Sequence, residues 1–265
     1  MQGEKSSGKV VINIRDVSFS YNSTPTLDRV NISIGEGEFT ALIGPNGSGK
    51  TTLLKLMCRV LTPKKGVIML KGENLKEFNP KEIAKLIAYA PPGIPDPPGL
   101  TAFEVVLLGR YPWLKGSWWE GETDEKVAVE SLKILGVLNL GDRLFSTLSS
   151  GEKQRVLLAK ALAQETEILL IDEPVAYLDL KYQLEVMELL RKLSREGKTI
   201  IAAMHQVNLA TQYCDKVIVL NRGRIVAAGK PEEVLTEQLI QEVYGVKALV
   251  RREGGRVFIV PLSPV

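Results

Sequence analysis

One glycine loop restricts this chain more than any other segment. Gly44-Pro45-Asn46-Gly47-Ser48-Gly49-Lys50-Thr51-Thr52 fits G-x-x-x-x-G-K-[ST], the phosphate-cradling P-loop. The apolar run Phe39 to Ile43 ahead of it reads as a buried strand, and Leu53 to Met57 behind it reads as a helix. Glycines let backbone N–H groups close on an anion, and a helix N-terminus adds a favourable dipole. In that setting Lys50 reaches the β- and γ-phosphates and the Thr51 hydroxyl is a ligand for Mg²⁺.

A P-loop strand needs a sheet. Ile168 to Ile171, Thr199 to Met204 and Lys216 to Leu220 are near-continuous apolar runs, as strands of a parallel sheet covered on both faces are. Val10 to Tyr21 and Leu27 to Ile34 alternate apolar and polar residues, the pattern of strands with one solvated face. Val67 to Leu70 reads as a further strand turning at Lys71-Gly72. Residues 91–98, rich in proline, form a stiff irregular loop. Helical patterns follow at Thr101 to Leu108, Asp124 to Leu135 and Gly151 to Gln164, and another at Lys181 to Arg195. Leu249 to Val260 reads as a hairpin turning at Gly254-Gly255. The expected fold is α/β: a P-loop sheet interrupted by a helical insertion, with an antiparallel β-subdomain before it. The expected division is a flexible N-terminus 1–9, a P-loop core from 10–90 and 166–235, a proline-rich and helical subdomain 91–165, and a C-terminal helix and hairpin 236–265.

The balance of charge narrows the partners. Lys+Arg number 34 against Asp+Glu 31, so nucleic acid is not expected. Cys58 and Cys214 match no metal spacing and read as reduced, buried small residues. The first nine residues lack the apolar stretch of a signal peptide, and no run approaches the roughly 18 apolar residues that cross a bilayer. The expected location is the cytoplasm, with any membrane role exercised through a partner.

The P-loop must be completed by an acidic strand end. Asp172 closes the run Ile168 to Ile171, where ligands bind in open α/β sheets, and can hold Mg²⁺. Glu173, next to it, has the chemistry of a general base for water. His205, the chain's single histidine, ends another such run and emerges at the same sheet edge. Ser149, Ser150 and Gly151 precede the helix that begins near Glu152, a serine-capped N-terminus of the kind that binds anions.

Together these elements resemble the ABC-type ATPases over about Val10 to Val246. The resemblance makes Gly44 to Thr52 the ATP-binding Walker A loop, Asp172 the Walker B carboxylate for Mg²⁺ and Glu173 the catalytic base. It makes His205 the H-loop histidine and Leu148 to Glu152 the signature, with Ser149, Ser150, Gly151 and Glu152 acting on ATP of another copy. Asp179, in Ala176-Tyr177-Leu178-Asp179, becomes the D-loop aspartate, and Tyr21 the aromatic that stacks on adenine. Leu107 to Pro112, Tyr177 to Leu180, His205 to Ala210 and Glu233 to Thr236 are similar to the ATPase subunits of iron-chelate, haem and cobalamin importers.

That likeness implies ATP and Mg²⁺ as cofactors and a head-to-tail pair of copies as the working unit. It also implies transmembrane permease subunits, a substrate-binding protein beyond them, and a place on the cytoplasmic face of the membrane. Trp113, Trp118 and Trp119 then read either as core or as part of the permease groove. Three positions depart from the pattern. Pro92 stands where the Q-loop glutamine is usual, which implies altered coupling or slower hydrolysis. Ser150 stands at a signature glycine, and Gln206 at an aspartate. A DNA-repair ABC ATPase would need a long coiled-coil insertion and a translation factor two P-loops; the sequence has neither. A nucleotide-gated module with weak hydrolysis is the remaining alternative, disfavoured by Glu173 and His205.

Overall fold

A computed structural model of the chain describes residues 9–114, 121–254 and 256–265. The alternating N-terminal runs form β1 (Val10–Phe19) and β2 (Leu27–Gly35). The P-loop strand is β3 (Phe39–Ile43), and the helix after the loop is α1 (Lys50–Met57). Then come β4 (Lys65–Leu70), the short β5 (Glu73–Asn74), α2 (Pro80–Leu86) and β6 (Ile87–Ala90). Between β6 and the next strand run α3 (Ala102–Leu107), a 3-10 turn at Leu108–Trp113, α4 (Glu122–Ile134) and α5 (Ser150–Ala163). The chain returns through β7 (Ile168–Asp172), α6 (Leu180–Arg195), β8 (Thr199–Ala203), α7 (Val207–Tyr213), β9 (Lys216–Asn221) and β10 (Arg224–Gly229). It closes with α8 (Pro231–Val234), α9 (Glu237–Tyr244), β11 (Val246–Glu253) and β12 (Arg256–Pro264).

The central sheet has the order β10-β9-β3-β8-β7-β6. All neighbours are parallel except β10, which turns back on β9. Its strands serve two cores at once. On β3, Leu42 packs with α1 and the antiparallel sheet β2-β1-β4-β5, while Phe39, Ala41 and Ile43 pack with the helices on the other side. Ile168 and Leu170 of β7 face the first core and Leu169 and Ile171 the second. That two-sided burial is what the near-continuous apolar runs require.

The helices start where capping chemistry permits. Thr101 and Ser149 each accept from the backbone three residues on, and Glu104 and Glu152 answer with reciprocal bonds. Thr101 is therefore the cap of α3 rather than its first residue, and Ser150 is the first residue of α5. The hairpin is longer than its apolar middle suggests, from Val246 to Pro264; Gly255 of its expected turn lies outside the described residues, as do residues 1–8 of the expected flexible N-terminus. No helix among the described residues is long and apolar enough to cross a membrane.

Candidate nucleotide site

The P-loop is bent by its glycines. Gly44 has φ +146°, and a Cβ there would stand 2.0 Å from the Leu220 carbonyl oxygen of β9. Gly49, at φ +108°, caps α1 without any side-chain acceptor. The first amides of α1 are thus left without a protein side-chain partner, which suits an anion. Lys50 is buried, and its ammonium donates to the carbonyls of Gly44 (2.8 Å) and Pro45 (3.0 Å). Burial lowers its pKa, while Asp172 and Glu173 oppose that shift. Asn46 to Thr52, Thr26, Asp172, Glu173 and His205 line one open cleft.

Strand register brings the acids there. Asp172 ends β7 opposite Ala203 of β8, and His205 follows two residues beyond. Asp172 is buried, and burial raises its pKa against the effect of the Thr51 hydroxyl. Its Oδ2 has no hydrogen-bond partner among the described residues. An orphaned buried carboxylate oxygen beside a threonine hydroxyl and a phosphate loop fits a hard divalent cation. Glu173 adopts φ +57°. Its N–H donates to the Ala203 carbonyl (2.9 Å), and its own carbonyl accepts from Gln154 Nε2 of α5 (3.0 Å). Those two bonds hold a left-handed turn that otherwise costs about 1–2 kcal/mol. The turn puts Glu173 Oε1 3.0 Å from His205 Nε2.

A second, separate cleft is lined by Ser149, Ser150, Gly151, Glu152, Arg155, Tyr177, Leu178, Asp179 and Tyr182. It shares no lining residue with the P-loop cleft. Gly151 is the glycine this wall needs, since a Cβ would lie 2.9 Å from the Tyr177 carbonyl oxygen. Ser150, by contrast, is exposed. Ser149 accepts from the Glu152 N–H (3.3 Å) and Glu152 accepts from the Ser149 N–H (2.8 Å); the latter bonding holds the Glu152 pKa below its usual value. Asp179 caps α6 by accepting from Tyr182 N–H at 3.3 Å.

The ABC transporter family profile matches residues 27–176 of this chain. A probable siderophore transport system ATP-binding protein of Bacillus subtilis, YusV, is 38% identical over 93% of this chain and 90% of its own length. The chain belongs to the ABC transporter family. The ferric enterobactin transport ATP-binding protein FepC of Escherichia coli is 37% identical over 93% of this chain and 92% of its own. Among solved structures, an inward-facing ABC transporter described as of metal-chelate type superposes with TM-score 0.82 at 25% identity, covering 96% of this chain and 98% of that one. The dimeric bacterial cassette MJ0796 superposes with TM-score 0.76 at 31% identity, covering 83% and 98%. The α/β P-loop ATPase fold expected from the sequence is the fold of these ABC cassettes.

The ABC motifs fall into two groups in space. Walker A, Asp172, Glu173 and His205 share the first cleft; Ser149 to Glu152 and Asp179 share the second. Tyr21 lies past the end of β1, exposed, with its hydroxyl 3.4 Å from Thr52 Oγ1 and its ring edge-on to Phe19. Pro92 is exposed in the loop after β6, and Asp96 of that loop pairs with Lys153 of α5 at 2.8 Å. Trp113 packs inward: its Nε1 donates to the Gln164 carbonyl (2.8 Å), and Lys85 lies over its ring. Trp118 and Trp119 lie outside the described residues. Arg155 and Tyr182 of the second cleft escape the sequence reading, as do Gln154, Thr26 and Tyr89 near the first. Gln154 breaks the apolar face of α5, a signal that was available; Thr26 and Tyr89 carry none. The buried Tyr89 hydroxyl has no hydrogen-bond partner among the described residues, and burial followed by the Asp172 charge raises its pKa.

Proposed function

We propose that this chain is the ATP-hydrolysing subunit of an importer for an iron chelate. Two copies would join head to tail, each closing the P-loop cleft of the other with its Ser149–Glu152 wall. The observation that carries this reading is the separation of the two clefts on one chain. Neither cleft alone encloses a nucleotide, and two copies facing each other bring unlike walls together twice. The siderophore-system relatives support the substrate class, and the dimeric cassette supports the pairing.

In this reading the amides of Gly47 to Thr52 and Lys50 hold the phosphates, and Tyr21 stacks on adenine. Thr51 and Asp172 would hold Mg²⁺, whose positive charge would offset the negative charge of the phosphates. Water attacks the γ-phosphorus, the bond to the β–γ bridging oxygen breaks, and the proton passes to Glu173. His205, hydrogen-bonded to Glu173, fixes the carboxylate toward the γ-phosphate. The permease subunits receive the resulting opening and closing from the cytoplasmic side, and Pro92 alters that coupling. The division into core, helical subdomain and C-terminal unit given above belongs to the same reading.

Glu173→Gln tests it. Steady-state ATP turnover should fall about 10²–10⁴-fold. ATP should then trap a dimer on size-exclusion chromatography, and membrane subunits co-purified with the chain should import a ferric siderophore only with Glu173 intact. Full turnover by Glu173→Gln would overturn the proposal.

A further inference from the structure

His205 lies between the end of β8 and a short helix. It precedes α7, which spans seven residues and has no side-chain cap at its start. Such a helix is not stable by itself, so its packing decides where it lies. The partner that grips it is β12, the last strand of the chain. Asn208 Nδ2 donates to the Ile259 carbonyl at 3.0 Å, and the Ile259 N–H donates to Asn208 Oδ1 at 2.8 Å. One side-chain amide thus satisfies both backbone groups of one strand residue, as a neighbouring strand would. One turn on, the buried Thr211 hydroxyl lies 2.8 Å from the Val257 carbonyl and 2.8 Å from the Asn208 carbonyl, sharing its proton between them. Val257 and Ile259 are buried in the same cluster as Leu209 and Ala210 of α7.

A hairpin far from the motifs in sequence therefore packs against the helix that follows one of them.

We infer that the C-terminal hairpin sets the position of His205 through α7, with Asn208 and Thr211 as positioning residues. Displacing β12 turns hydrolysis down while nucleotide stays bound. This rests on the reading of His205 as a residue of the hydrolytic site. The hairpin is thereby a control element: whatever shifts β12 adjusts turnover without touching ATP.

The test uses the full chain carrying Asn208→Ala and Thr211→Val together. ATP turnover should fall about tenfold, since displacements near 1 Å suffice for losses of that order. Affinity for a fluorescent ATP analogue should stay within about twofold, because the P-loop is untouched. His205 is the sole histidine, so its imidazole NMR signals are unambiguous, and they should shift in the double variant. On a His205→Ala background the two substitutions should cost nothing further. Unchanged turnover, unmoved imidazole signals, or affinity and turnover lost together with the fold would each overturn the inference. The parent reading fails separately, if Glu173→Gln turns over ATP normally. An inactive Glu173→Gln beside a fully active Asn208/Thr211 variant sinks only the inference.

Discussion

Gly44 and Gly47 look alike in the motif and differ in the structure. A Cβ on Gly44 meets the Leu220 carbonyl at 2.0 Å, whereas one on Gly47 meets nothing within 4 Å. Both have positive φ, so both substitutions carry a conformational cost of about 1–2 kcal/mol. Only Gly44→Ala must also push β9 away from the loop. It should destabilise the chain by about 3 kcal/mol or more in chemical denaturation, against about 1 kcal/mol for Gly47→Ala. Equal losses would mean that the loop yields at Gly44. The motif spacing shows that glycines are needed; it cannot show which one carries a steric conflict, because the opposing atom comes from a strand far along the chain.

The elements divide by how local their causes are. The central strands are legible because burial on both faces forces an apolar run. The cap of α5 is legible as Ser149–Glu152, since a capping box is a four-residue device, whereas Thr101 reads as the first residue of α3 and is its cap. The antiparallel return of β10 and the docking of α7 on β12 are not legible, for each depends on partners that sequence periodicity does not mark. Glu152 gives a pH prediction at this scale. Its folded pKa is lowered by the Ser149 N–H and hydroxyl. Its contribution is therefore full above the unfolded value, near 4.3, and disappears as pH falls through the folded value. Glu152→Gln keeps a capping acceptor but removes the charge. Its stability deficit against the natural chain should be present at pH 7 and shrink in urea titrations as pH falls below the unfolded value and through the folded one. A deficit that persists in acid would show that charge is not what Glu152 contributes. Ser149→Ala removes the cap itself and should cost about 1 kcal/mol at neutral pH.

At the scale of the whole molecule, the candidate site was half legible. The motifs name both clefts and the resemblance implies that they meet across two copies; the structure adds that they share no lining residue on one chain. Head-to-tail pairing then makes a prediction that mixing alone can check. Lys50→Ala removes the P-loop ammonium, and Ser150→Glu sets a negative charge on the opposite wall. Each variant alone should be inactive. Mixed in equal amounts, half of the dimers are hybrid and each hybrid keeps one intact composite site, so about a quarter of the natural turnover should return. Absence of any recovery in the mixture would exclude the paired site.

The strand order has a consequence for synthesis. β3 lies between β8 and β9, whose residues run from Thr199 to Asn221. A ribosome making this chain therefore releases Phe39 to Ile43, buried throughout in the finished protein, long before either neighbouring strand exists. At about 5–20 residues per second, that apolar edge waits on the order of ten seconds or more without its flanking strands. The nascent chain is then a natural client for holding chaperones, and slowing translation downstream of residue 57 should lengthen its exposure.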